Sequence, residues 1–304
     1  MERKLLFNLD VDSTALLCPN PNEFYSRAYI GGNVEGNFRL VPGVKYATKI
    51  ARNIFDDVLQ PSTCSFTETD STLDAYEIYV TALSAMVSLC RFELETSFLG
   101  DWMVKGSNGS FEVADFMSYY WNELSMKISE EVERLRWQGD VAGLAPLNLV
   151  DGHIKKLLAD LTTIKITPTT ITVANVIDEM NKVYLALPSA VRAKRSDLRF
   201  FVSSDVYAAF SIAASQGNNN TFITAELAPT YLGIKLVIAD GMAPEQMVLT
   251  LKDNLIYSFD AINDQTALKA INLEETVAEP VLRTRANLKL FFGHVNGNEI
   301  VVYA

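Results

Sequence analysis

Residues 110–140, SFEVADFMSYYWNELSMKISEEVERLRWQGD, carry the reading that decides the fold. Val113, Met117, Tyr120, Leu124, Ile128, Val132 and Leu135 recur at spacings of three and four, which draws one continuous apolar stripe along a helix. Ser110 stands at the N-cap position, Glu112 and Asp115 lie near the positive end of the helix dipole, and Gly139 is placed to end the helix. The spacing predicts a helix over 111–138, a rod about 42 Å long at 1.5 Å per residue. That is well beyond the three turns of an average globular helix. Its polar face carries Glu123, Lys127, Glu130 and Arg134, which predicts the i to i+4 pairs Glu123 with Lys127 and Glu130 with Arg134. Trp121 and Trp137 read as packing anchors rather than as the walls of a ligand groove.

Upstream of this rod, SAMVSLCRFELETSFL predicts a helix over 84–99, ended by Gly100. Before it, Tyr76, Ile78 and Val80 alternate with Glu77 and Tyr79, the period of a half-buried strand. NFRLVPGVKYATKI (37–50) can form a strand, and TCSFTETDSTLDAYEIYVTAL (63–83) alternates around a polar tip at Thr69 to Ser71. Together they predict a long two-stranded ribbon with little core of its own, which needs a neighbour to pack against. Residues 1–35 mix short apolar runs with Pro19, Pro21, Gly31 and Gly32 and hold no period for long, so an extended arm is expected.

Downstream, ITPTTITVANVIDEMNKVYLALPSAV (166–191) predicts a helix from about Val173, capped by Thr170 or Thr172 and stopped before Pro188. DLRFFVSS reads as a strand, DVYAAFSIAAS as a helix and Gly217 to Thr221 (GNNNT) as a polar loop tip. YLGIKLVIAD and QMVLTLKDNLIYSF are β-rich and separated by a turn at Gly241 to Pro244. A charged stretch at Glu274, Glu275 and Glu279 precedes VLRTRANLKLFFGHV and EIVVYA, with Asn296-Gly297 as a hairpin turn between them. The order of elements is that of an α+β protein, without internal repeats.

Composition limits the functions these elements can serve. The chain has 304 residues, 49% hydrophobic and 21% charged, enough apolar material for one large domain or two smaller ones. No window approaches the roughly 18–20 apolar residues of a bilayer span, and MERKLLFNLDVD turns acidic before a signal-peptide core forms, so a cytoplasmic, membrane-free protein is expected. Cys18, Cys64 and Cys90 lie far apart, which suits reduced buried thiols. A net charge of -11 repels nucleic acid as a whole, which argues against a sequence-specific DNA binder but not against a container for DNA.

The motifs with possible chemistry are thin. Asp10-x-Asp12-x-Thr14 after an apolar run resembles the first motif of haloacid dehalogenase-type phosphatases, with Asp10 as nucleophile and Asp12 as general acid/base beside magnesium. Ser203, Lys235 and Asp240 could be stretched to supply the later motifs, but their spacing does not fit a doubly wound sheet. The two Asp are therefore read as solvated turn residues. His153 and His294 stand alone, Asp151-Gly152-His153 has no nucleophile at readable spacing, and no G-x-S-x-G is present. Both histidines are read as structural, and neither has the second histidine a zinc site needs. YIGGN at Tyr29 to Asn33 lacks the Lys-Ser/Thr of a phosphate loop, and Glu130, Glu131 and Glu133 read as a solvated helix face. No catalytic residue, cofactor or metal site is expected. An arm, a ribbon and a long rod make better sense where neighbouring subunits bury them.

Several strings then carry a resemblance. TLDAYEIYVTALSAMVSLCRFELETSFLGDWM, the helix closing on RLRWQGD, RFFVSSDVYAAF, YLGIKLVIADGM and LKDNLIYSFD, in this order and spacing, resemble the major capsid proteins of tailed bacteriophages with the Hong Kong 97-type fold. The likeness runs from about Phe38 to the end. It implies an N-terminal arm at 1–35, an extended loop at 36–83 lying across the adjacent subunit, and a peripheral domain at 84–154 with its spine helix at 111–138. It further implies an axial domain at 155–255, with Gly217 to Asn220 as an inner tip, and a return to the peripheral domain with closing strands at 256–304. The implied function is structural: self-assembly into hexamers and pentamers of an icosahedral head around double-stranded DNA, made in the host bacterial cytoplasm. Portal, scaffold or decoration proteins are the implied partners, the scaffold being a separate protein or absent. Some relatives cross-link a loop lysine to a neighbour's asparagine; Lys45 and Lys49 lie in the corresponding loop, but no activating carboxylate is identifiable. An encapsulin-like nanocompartment is the alternative within the same fold, and a magnesium-dependent phosphatase using Asp10 and Asp12 the alternative outside it.

Overall fold

A computed structural model describes residues 18, 21–30, 36–55, 71–90, 113–216, 230–260, 268–273 and 281–304. The chain forms two compact units: Met1–Gly31, Ala82–Glu130 and Ile262–Leu288 make the first, and Gly32–Thr81, Glu131–Ala261 and Lys289–Ala304 the second.

In the first unit, α1 (Pro21–Ile30) corrects the expectation of an extended arm over these ten residues. Pro21 presets the dihedral of the first helical position, Glu23 sits in the first turn and Arg27 in the last. Phe24, Tyr25, Ala28 and Tyr29 share one face and are buried. Phe24 meets Trp121 edge-on at 5.6 Å, Tyr25 stacks on Tyr29 at 5.8 Å, and Arg27 bonds both Glu23 and Asn122. Trp121 belongs to α2 (Val113–Gln138), the long helix, close to its expected bounds. Ile128, Val132 and Leu135 of the expected stripe are buried and Tyr120 and Leu124 half-buried. Lys127 pairs with Glu130 at 2.7 Å, three residues on, in place of Glu123. The N-cap Ser110 lies outside the described residues.

The helix expected from Ser84 is contradicted as far as Cys90: β4 (Thr81–Cys90) is a strand with period-two burial. Leu83, Ala85, Val87 and Leu89 turn inward, while Ser84, Met86 and Ser88 are exposed. β4 pairs with β12 (Val281–His294), where Ser84 bonds the Asn287 side chain at 2.9 Å. The first half of β12 also pairs antiparallel with β11 (Leu268–Asn272). The rest of the expected helix, 91–99, and Glu274, Glu275 and Glu279 lie outside the described residues.

The second unit contains a six-stranded mixed sheet in the order β5 (Ile164–Ile166), β13 (Val301–Tyr303), β9 (Met247–Leu251), β6 (Leu198–Val202), β8 (Ile234–Ile238), β7 (Thr230–Tyr231). Against it pack α4 (Val176–Ala186) and α6 (Ser204–Gln216), which follow α3 (His153–Ala159) and the single turn α5 (Ser189–Arg192). Val176, Met180, Val183, Val206, Phe200, Leu249 and Val301 share this core. Each such side chain contributes about 1.5–3 kcal/mol when fully buried. The α4 helix starts three residues later than Val173, because Asn175 accepts from the backbone and hydroxyl of Thr172 and donates to the Thr170 carbonyl. Neither threonine caps it.

β1 (Arg39–Pro42) runs parallel to β10 (Leu255–Phe259), which pairs antiparallel with the end of β12. The ribbon is β2 (Ala47–Phe55) and β3 (Ser71–Tyr79), in register from Ala47 opposite Tyr79 to Phe55 opposite Ser71. Its base is not bare: Ile78 is buried with Ile256 and Phe291, and Ile50, Tyr76 and Val80 pack around them.

Asn296-Gly297 does not make the expected hairpin. A 3-10 turn at Gly297–Glu299 carries the chain from β12 in one sheet to β13 in another. Glycine is required there by space, since a Cβ would lie 2.1 Å from the Thr162 hydroxyl. Tyr303 then inserts its ring into the core and its hydroxyl accepts from the Thr169 N–H at 2.8 Å while facing Glu179 at 3.2 Å. Tyr303→Phe leaves those groups unpaired and is expected to lower unfolding free energy by about 1–2 kcal/mol in a denaturant titration, with an unchanged m-value.

Candidate functional site

The residues singled out for chemistry are not brought together. Asp10, Asp12 and Thr14 lie outside the described residues, as does Cys64. Ser203 is buried and its Oγ accepts the Val206 N–H at 3.4 Å, the geometry of a cap on α6. Lys235 lies near the start of β8 and Asp240 beyond its end, so one strand separates them. Cys18 and Cys90 are half-buried rather than buried. Among the described residues no three His, Cys, Asp or Glu side chains converge as a metal set would, and no helix is long and apolar enough to cross a membrane.

The two histidines occupy opposite environments. His294 Nε2 lies 2.6 Å from Asp160 Oδ2. Burial pushes the Asp160 carboxyl up, but hydrogen bonds from Thr162 and His294 outweigh it and hold the pKa below the usual carboxylate value. His153 is completely buried, its ring 5.6 Å from Phe38, 5.4 Å from Trp137 and 5.6 Å from Phe292. Burial, then the charges of Arg136 and Lys156, drive its pKa well below the ordinary imidazole range. Burial likewise lowers Lys156 to about 8, with its ammonium 3.7 Å above the Phe291 ring.

A histidine held neutral in the folded state stabilises fully above the unfolded pKa of about 6.5 and loses that contribution as pH falls below it. Between pH 6.5 and 5, unfolding free energy should fall by up to about 1.4 kcal/mol per pH unit. His153→Gln should flatten that slope in urea titrations across the window; an unaltered slope would remove His153 as its source.

The densest arrangement in the second unit surrounds the end of α2. Arg136 is buried, its guanidinium 5.4 Å from the Phe38 ring centre and 4.8 Å from that of Tyr257, and it pairs with Glu133. Glu133 also accepts from Trp137 Nε1 at 3.1 Å. Trp137 was legible as an anchor; nothing in the spacing marked Arg136 as a buried cation. Chemically this cluster holds elements in place and offers no open nucleophile or base.

What the second unit presents outward is surface for contacts. Tyr46 and Tyr79 are exposed at the root of the ribbon. Lys45 is exposed too, and Lys49 is engaged across the ribbon by Glu77. The loop tip Gly217 to Asn220 lies outside the described residues.

No protein-family model matches the sequence, and no curated protein matches it. Solved structures do. The capsid of an empty GTA particle, computed with C5 symmetry, aligns at a TM-score of 0.57 and 15% identity over 88% of this chain and 87% of that one. A virus-like particle from Pyrococcus furiosus aligns at 0.55 and 10% identity over 94% and 98%. The satellite phage P4 procapsid aligns at 0.55 and 11% identity over 88% and 92%. The chain therefore has an α+β fold of the Hong Kong 97 capsid type.

Proposed function

We propose that this chain is the major capsid protein of a tailed bacteriophage, a shell subunit without a catalytic site. It self-assembles into hexamers and pentamers of an icosahedral head that encloses double-stranded DNA. The single observation behind this reading is the shared fold over about nine-tenths of the chain with capsid subunits such as that of the GTA particle. The exposed ribbon and the absence of any convergent chemical group among the described residues support it. In this reading residues 1–35 are the N-terminal arm, 36–83 the extended loop and 84–154 a peripheral domain around the long helix. Residues 155–255 form the axial domain and 256–304 the return and closing strands. The protein resides in the virion capsid after assembly in the host bacterial cytoplasm, with portal, scaffold or decoration proteins as partners.

Electron microscopy of the expressed protein, alone and with its scaffold, tests the proposal. Capsomers, tubes, sheets or shells are expected; persistent monomers under both conditions would sink it. A nanocompartment shell of encapsulin type is a second reading, favoured by the alignment with the virus-like particle over nearly all of both chains. A cargo enzyme inside purified particles selects it.

A further inference from the structure

Residues 140–151, directly after the long helix, form a closed loop whose base is tied from both sides. Gly152 N–H donates to the Gly139 carbonyl at 2.9 Å, and Asp140 N–H to the Leu147 carbonyl at 3.0 Å. The Asp140 carboxylate takes the Ala142 N–H and pairs with Lys155 at 2.9 Å, while Asp151 takes the Val141 N–H at 2.9 Å. The neck leaves no slack: a Cβ on Gly139 would lie 2.2 Å from the Val150 carbonyl oxygen. Both acids are thus spent on the loop's own base, and residues 141–150, VAGLAPLNLV, carry no charge. At the surface stand Leu144, 89% exposed, with Val141 at 57% and Leu149 at 48%. A loop fixed by its own hydrogen bonds that holds leucines in water is organised before anything docks on it.

We infer that this loop tip is a knob that docks on the exposed apolar side of α4 and α6 of a second copy of the chain, where Ile177, Leu185 and Ile212 stand open. The two helices pack side by side, and the small exposed residues Ala208 and Ser211 leave room between the larger ones. Charge selects the occupant. Each copy carries a net charge of -11, so copies repel across most of their surface and meet at least cost where the knob is uncharged and the receiving residues are apolar. The knob and its receiving face are different surfaces of one chain, so the contact is heterologous and propagates from copy to copy until a ring closes. The inference rests on the shell reading above and supplies its contact.

The test uses three full-length variants: Leu144→Asp, Ile212→Asp and, as a control outside both surfaces, Leu161→Asp, whose side chain is 95% exposed. The first two are expected to reduce the assembled fraction about tenfold or more at fixed concentration, with unchanged thermal midpoints, while the control assembles as the parent does. Mixing the first two is the sharper readout. Leu144→Asp keeps its receiving face and Ile212→Asp keeps its knob, so the mixture forms heterodimers in sedimentation that neither gives alone. Normal assembly of either variant, a mixture that stays monomeric, or an equal loss in the control overturns the inference while leaving the shell reading intact. A parent chain that never assembles overturns both. Loss of a different protein partner with self-assembly retained assigns the knob to that partner and removes the second copy.

Discussion

Arg136→Ala is expected to lower unfolding free energy by about 3–5 kcal/mol. The guanidinium is sandwiched between Phe38 and Tyr257 and neutralises Glu133, whose carboxylate is itself mostly buried. Removing the cation strands that carboxylate in an apolar surround, and the penalty is mainly the cost of an unpaired buried charge. A double variant separates charge from packing. Arg136→Met with Glu133→Gln removes both charges, fills much of the volume and keeps an acceptor for Trp137, so it should recover most of the loss in urea titrations. If the double variant is as unstable as Arg136→Ala, the stacking on Phe38 and Tyr257 rather than the ion pair carries the energy.

Trp137→Ala is the second large effect, again about 3–5 kcal/mol, set by the cavity left by a fully buried indole. Its ring centre lies 5.9 Å from Phe38, 5.4 Å from His153 and 5.3 Å from Phe201, so one deletion exposes contacts of three elements. The two losses should not add. Trp137 and Arg136 share Glu133, and a double-mutant cycle should show a combined loss smaller than the sum by at least about 0.5 kcal/mol. Strict additivity would mean that the carboxylate does not couple them.

How far the sequence could be read follows from how each element is held. The long helix was legible because its stripe repeats through many turns and no strand period fits the same residues. β4 was misread because Leu83, Val87 and Cys90 stand at spacings of four and three, while Leu83, Ala85, Val87 and Leu89 stand at spacings of two. Both templates fit, and pairing with β12 decided. The short helix at Pro21 was hidden by the prolines and glycines around it, and packing of its aromatic face on Trp121 holds it. Asn296-Gly297 has hairpin chemistry, but the chain was changing sheets there and glycine answered a close approach instead. The capsid-type fold was legible from the order of whole strings. The buried cation and the closed loop after Gly139 were not: arginine normally reads as solvated, and a run such as VAGLAPLNLV looks like core until its hydrogen bonds are seen.

The place of β13 in the six-stranded sheet constrains how the subunit is made. Val301–Tyr303 sits between β5 and β9, and Tyr303 contacts Thr169, 134 residues earlier in the chain. A ribosome must therefore deliver nearly everything before that gap can be filled, and until then two strand flanks wait unpaired in the nascent chain. Contacts of such long sequence separation form late and expose adhesive edges meanwhile. Subunit formation is thereby tied to completion of synthesis through Tyr303, so a truncated translation product lacks a finished sheet to contribute to a growing shell.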